Sequence, residues 1–178
     1  MIGWHHLAGL RNSQPRMPPG CEICVNPRNF GFKMSESFES SRAPEPVGAF
    51  PHAKRVGEFL FLSGIGPRAR GSKEIPGVTL DPNGNIVDYD IETQCRAVFE
   101  NVRLVLEDAG ATWQDIVDVT VFLTNMKEDF RIYNKLYAEY FAGPGKPNPT
   151  RTTIEVGALP TPIAIELKVI ATGRTATD

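Results

Sequence analysis

Arg151 and Glu166 bracket the stretch Arg-Thr-Thr-Ile-Glu-Val-Gly-Ala-Leu-Pro-Thr-Pro-Ile-Ala-Ile-Glu, which reads as two short β-strands joined by a proline-punctuated connection. An arginine fork suits bidentate grip on a carboxylate. A glutamate set among apolar residues can orient a water or move a proton, because burial tunes its pKa. Delivered by neighbouring strands, the two would hold an anionic substrate and a water side by side. Alternation puts Arg151, Thr153 and Glu155 on one side of the first strand, and Ala164, Glu166 and Lys168 on one side of the second. The same pattern fits two solvated charges, with Glu166 paired to Lys168 and Arg151 on the surface, and the residues alone do not choose. Cys21-x-x-Cys24, with His5 and His6 upstream, has ligand types for zinc or redox chemistry. It stands outside any periodic segment, where coincidence is the default.

The elements that must position these residues are legible in the spacing. Pro44, Pro46, Gly48 and Pro51 forbid a helix before Ala53. A strand follows within residues 55–63, where Phe-Leu-Phe-Leu is apolar throughout and predicts burial on both faces. Gly64-Ile-Gly-Pro-Arg-Ala-Arg-Gly is a loop after that strand. It lacks the Lys-Ser/Thr that a phosphate loop needs. Ile91, Cys95, Val98, Phe99, Val102, Val105 and Leu106 form one apolar stripe of a helix over 91–109, ended by Gly110. Cys95 lies on that stripe and reads as a core hydrophobe. Residues 116–124 are rich in β-branched side chains and predict a strand. Residues 129–141 predict a second helix whose aromatic face would serve as core or subunit contact. Adding a short strand near 78–80, the order is β, β, α, β, α, β, β: an α+β domain. Two helices cannot cover both faces of such a sheet, so one face needs a partner, most simply another copy of the chain.

The chain's 178 residues suffice for one domain, and its 41% apolar and 22% charged content is that of a globular protein. No run nears the ~18 apolar residues of a membrane span, so no membrane partner is expected. The net charge of −2 is uneven: residues 1–33 carry +3, leaving −5 for the rest, a balance that argues against a nucleic-acid partner. Three cysteines give no disulfide framework and predict a reducing, cytoplasmic setting. Residues 1–33 lack any helical or strand period, and Met34 reads as a fresh start. Residues 1–43 are therefore expected to be a disordered extension, and 44–174 the folded domain.

Ser63-Gly64, Arg151-x-Thr-x-Glu-Val and Ile163-Ala-Ile-Glu-Leu-Lys-Val-Ile-Ala171 together resemble the RidA (YjgF) family of enamine/imine deaminases. The resemblance implies a chorismate-mutase-like mixed sheet with two helices on one face. It also implies a homotrimer with clefts between subunits, and no cofactor or metal. It implies that Arg151 binds a substrate carboxylate, that Glu166 orients water, that Gly64 offers a backbone contact and that Asn134 stands near the cleft. Phe50 replaces a tyrosine common in the family, Ile65 a glutamine and Thr153 a cysteine, which casts doubt on the smallest imine substrates. Longer matches, among them Glu45-Pro-Val-Gly-Ala-Phe-Pro-His-Ala-Lys-Arg55 and Val121-Phe-Leu-Thr-Asn-Met-Lys127, are similar to the branch that deaminates 2-aminomuconate. That dicarboxylate needs a second cation, for which Arg68 is the first expectation and His52 the second.

Overall fold

A computed structural model describes residues 35–173; the Cys21/Cys24 and His5/His6 group lies outside them. Two helices carry the core. Asp90 caps α1 (Ile91–Asp108) by accepting from the Glu92 N–H, and Gly110, at φ 75°, follows its end. Asn125 caps α2 (Met126–Phe141) in the same way, accepting from Glu128. The helix thus starts before the expected residue 129, because the polar cap rather than the first aromatic residue defines its entry. The apolar stripe of α1 is buried as its period requires, Val98, Val102 and Leu106 each being 0% exposed. Phe99 sits between the helices, its ring 4.9 Å from Tyr140, 5.3 Å from Phe141 and 6.3 Å from Trp113.

The strands are β1 (Glu36–Phe38), β2 (Ala53–Val56), β3 (Phe59–Leu62), β4 (Val78–Leu80), β5 (Ile86–Tyr89), β6 (Ile116–Leu123), β7 (Thr150–Glu155) and β8 (Ile165–Thr172). Six of them form one sheet in the order β1-β2-β3-β8-β6-β7, and β4 and β5 form a separate hairpin. Only β6 and β7 are parallel, as strands joined by a crossover helix must be. β8 does not fold back beside β7. The connection bearing Pro160 and Pro162 carries the chain over the end of β6, where Val156 N–H bonds Leu123 O and Thr124 N–H bonds Ala164 O. β8 then pairs with β3 on one side and β6 on the other.

Both helices cover one face of the sheet, as expected for this α+β order. The expected double-sided burial of the Phe59–Leu62 strand does not hold. Leu60 and Leu62 are buried, whereas Phe59 is 48% and Phe61 38% exposed, because they lie on the face without helices. The segment 55–63, expected to contain a strand, holds β3 and also the end of β2, the two forming a hairpin turned at Gly57 with φ 60°. The domain also begins earlier than residue 44. β1 pairs with β2, and Ser40 Oγ donates to Asp108 Oδ2 at 2.6 Å. Arg42 bridges Asp108 at 2.6 Å and Glu107 at 3.1 Å, a cation at the carbonyl end of α1 where the helix dipole favours it.

The β4–β5 hairpin docks on α2 through Tyr89, whose hydroxyl donates to Asp129 Oδ2 at 2.8 Å. Burial and the nearby Asp129 push the Tyr89 phenol up to about 12, and burial raises the Asp129 carboxyl too. Phe99→Ala should empty the aromatic seam between the helices and cost about 3–5 kcal/mol, read as a lower urea midpoint with native helix content retained.

Candidate active site

Glu166 stands on the helix-free face of β8, between buried Ile165 and Leu167. It lines a hollow with Phe50, His52, Gly64 and Arg68. Backbone anchors build that hollow. Ile65 and Leu167 exchange both N–H···O bonds, at 2.8 and 2.9 Å, fixing the loop after β3 against the glutamate's own strand. Asn101 of α1 donates to the carbonyls of Gly66 and Arg68, both at 2.8 Å. Gln94, fully buried, accepts from Ala164 N–H at 2.8 Å and holds the entry to β8. Gly64 is glycine for a steric reason, since a Cβ there would lie 2.8 Å from Glu166 Cδ and collide with its carboxylate. Gly66 has the same logic, with Ile163 Cδ1 at 2.8 Å. These glycines allow close packing, not phosphate binding. Burial holds the Glu166 carboxyl above the ordinary carboxylate value, and the Arg68 charge draws it partly back. Among the described residues no ion pair joins Glu166 to Lys168.

Arg151, Thr153 and Glu155 all face α2. Glu155 accepts from Met126 N–H at 2.7 Å, and Arg151 Nη1 donates to Asn134 Oδ1 at 2.9 Å. The guanidinium carbon lies 4.4 Å from the Tyr137 ring centroid, 5.6 Å from Tyr133 and 5.9 Å from Phe130. The hydroxyls of Tyr133, Tyr137 and Thr153 are buried without a partner among the described residues.

The expected residues thus divide into two groups. Phe50, Gly64, Arg68 and Glu166 gather in one hollow, while Asn134, Arg151 and Thr153 gather under α2. Strands β7 and β8 are not neighbours, and Arg151 pairs with Val119 of β6 whereas Glu166 pairs with Phe122. Those partners are three positions apart on β6, an odd step, so the two side chains point to opposite faces of the sheet. One chain therefore does not bring Arg151 and Glu166 side by side. His52 lines the Glu166 hollow, yet its ring is fully engaged: Nδ1 accepts from Ser40 N–H at 3.0 Å and Nε2 faces Pro44 O at 2.9 Å. With Nδ1 accepting, its 3.4 Å approach to Glu39 is not an ion pair. His52 is a buried pin for the 40–44 segment rather than a free cation.

Reading by residue type missed Gln94, Asn101 and the tyrosines around Arg151. Phe130, Tyr133 and Tyr137 share a stripe with the expected Asn134 by helical spacing; their aromatic face was expected as core or subunit contact, and its place beside Arg151 was not. Cys95 is fully buried and its thiol is pushed up to about 12, chiefly by burial, as suits a core hydrophobe. Among the described residues no group of three or more His, Cys, Asp or Glu side chains converges to hold a metal, and no helix is long and apolar enough to cross a membrane.

The raised Glu166 pKa has a thermodynamic consequence. Because the folded protein binds this proton more tightly than the unfolded chain, ionised Glu166 lowers stability once pH rises above its ordinary value of 4.5. Glu166→Gln should raise the urea midpoint at pH 7, and the gain should vanish below about pH 4.

The sequence profile described as Endoribonuclease L-PSP matches residues 40–173. A RutC family protein of Pyrococcus horikoshii is 40% identical over 139 residues, covering 78% of this chain and 98% of the relative. Reactive Intermediate Deaminase A, chloroplastic, of Arabidopsis thaliana is 30% identical over 174 residues, covering 96% and 83% respectively. Among solved structures, the YjgF gene product of Escherichia coli superposes with a TM-score of 0.66 at 28% identity, covering 78% of this chain and 99% of that one. With two helices on one face of a mixed sheet, and with these relatives along nearly its whole described length, the chain belongs to the RidA (YjgF) family, whose profile carries the Endoribonuclease L-PSP description.

Proposed function

We propose that this protein is a hydrolytic deaminase of carboxylate-bearing enamines and imines, working as a homotrimer with its sites between subunits. The observation that carries this reading is the complementarity of two half-sites. Arg151 has no acidic partner among the described residues, and Glu166 is a half-buried acid in its own hollow. They face opposite ways in one chain, so a second copy must supply whichever is missing. The exposed Phe59, Phe61 and Val56 on the helix-free face support association there. The name of the Arabidopsis relative supports the reaction class. The charge of −5 outside residues 1–33 favours a small anion-recognising cleft over cleavage of RNA.

In this reading the enamine tautomerises to its imine, and Arg151 grips the carboxylate beside the C=N carbon. Glu166 takes a proton from water as the oxygen bonds to that carbon. That proton is returned to the nitrogen to give a carbinolamine. Glu166 then carries the hydroxyl proton to the same nitrogen, the C–N bond breaks as the C=O forms, and a ketone and ammonia leave. A carboxyl with a raised pKa suits both halves of that transfer. The finer proposal is that the preferred substrate is 2-aminomuconate. It rests on the motif resemblance and on Arg68, whose charge is felt by Glu166 in the same hollow and which can meet a second carboxylate.

Ammonia release from enzymatically generated 2-aminomuconate and from 2-iminopropanoate tests both levels. Turnover of both with equal efficiency would leave the general deaminase and discard the specificity. Binding without ammonia release would make the protein a ligand-binding trimer instead. Glu166→Gln should lower kcat by about 10²–10⁴-fold. Arg68→Ala should raise KM for 2-aminomuconate about tenfold or more while leaving the monocarboxylate unaffected.

A further inference from the structure

Arg151 has a feature the deaminase reading does not use. A part-buried arginine is ordinarily neutralised by an acid. This one has a single polar partner, the neutral Asn134 amide, among the described residues. Three aromatic rings of α2 surround it instead, at 4.4, 5.6 and 5.9 Å. A ring face attracts the cation through its quadrupole but takes none of its N–H donors in hydrogen bonds. One guanidinium N–H is engaged with Asn134, and the fork's remaining donors make no other hydrogen bond among the described residues.

The supporting rings are themselves fixed. Tyr137 stacks on Phe141 at 4.4 Å with an interplanar angle of 15°, and Phe141 is fully buried beside Phe99. Tyr133 is fully buried and lies 5.9 Å from Tyr137. Neither tyrosine hydroxyl makes a hydrogen bond of normal geometry among the described residues, although Arg151 and Thr153 stand close enough to the Tyr133 oxygen to offset part of the upward push that burial gives its phenol.

We propose that Tyr133 and Tyr137, with Phe130 at the rim, are positioning residues that hold Arg151, without an acidic partner, in place for an incoming carboxylate. This rests on the reading of Arg151 as the carboxylate-binding residue. The rings act through Arg151 and touch no substrate. Because the grip is the same in ground and transition states, weakening it changes affinity rather than the chemical step.

The test compares wild type with Tyr137→Phe, Tyr137→Leu and Arg151→Ala, using steady-state turnover of 2-iminopropanoate and calorimetric binding of pyruvate, the corresponding 2-oxo acid. Tyr137→Leu should raise KM and the pyruvate Kd about tenfold with kcat within about twofold. Tyr137→Phe, which keeps the ring, should restore both to near wild type. Unchanged KM and Kd in Tyr137→Leu, with both lost in Arg151→Ala, would overturn the cage and leave the deaminase reading standing. Equal weakening in Tyr137→Phe would overturn it as well, because the hydroxyl and not the ring would then be responsible. Wild-type pyruvate affinity in Arg151→Ala would remove the arginine's role and the cage with it. Calorimetry decides each case even if no ammonia is released.

Discussion

The placement of β8 between β3 and β6 is the constraint on which the rest of this molecule depends. Paired on both sides, β8 must bury one whole row of side chains under the helices, and Ile165, Leu167, Val169 and Ala171 are all 0% exposed. The alternate row, led by Glu166, is thereby committed to the opposite face. A slip of one residue would put the glutamate into the core, where an unpaired carboxylate is costly. Register and chemistry are thus set by the same apolar row.

The same topology turns β7 the other way. As the parallel partner of β6 at the sheet edge, β7 presents Arg151, Thr153 and Glu155 to α2. Two oppositely charged groups are kept apart by the sheet. Glu166 is set by burial and by Arg68 at a distance, and Arg151 by aromatic faces and one amide. Asp129, another buried acid, shows the contrast: it is matched by the Tyr89 hydroxyl and serves to dock a hairpin. Polar groups with local partners hold this fold together, whereas the two without acid–base partners are those assigned to chemistry.

Much of this was legible from the residues. The α1 stripe, the β6 run and the strict alternation around Glu166 gave element types and faces, because burial imposes its period directly on sequence. The early start of α2 at Met126 was hidden, since Asn125 acts through one hydrogen bond rather than a pattern. So was β1, which has three residues and is held partly by the Arg42 and Ser40 contacts to the end of α1. Strand adjacency was misjudged for a physical reason. Proximity in sequence suggested that Arg151 and Glu166 lie on neighbouring strands, but the crossover helix forces β7 parallel to β6, and β8 takes the opposite flank. His52 looked like a spare cation by type, and only its two backbone partners reveal a structural pin.

Under the proposed intersubunit deaminase, Arg151 and Glu166 on opposite faces of one chain make a sharp demand: a working site would draw the two residues from different copies. Mixing the Arg151→Ala and Glu166→Gln variants in equal amounts, unfolding and refolding them together, and measuring ammonia release tests that demand directly. Each variant alone should be inactive, and the mixed trimers should recover about a quarter of wild-type activity by random assortment of intact half-sites. Mixtures that form hetero-oligomers yet stay as inactive as either parent would contradict the account.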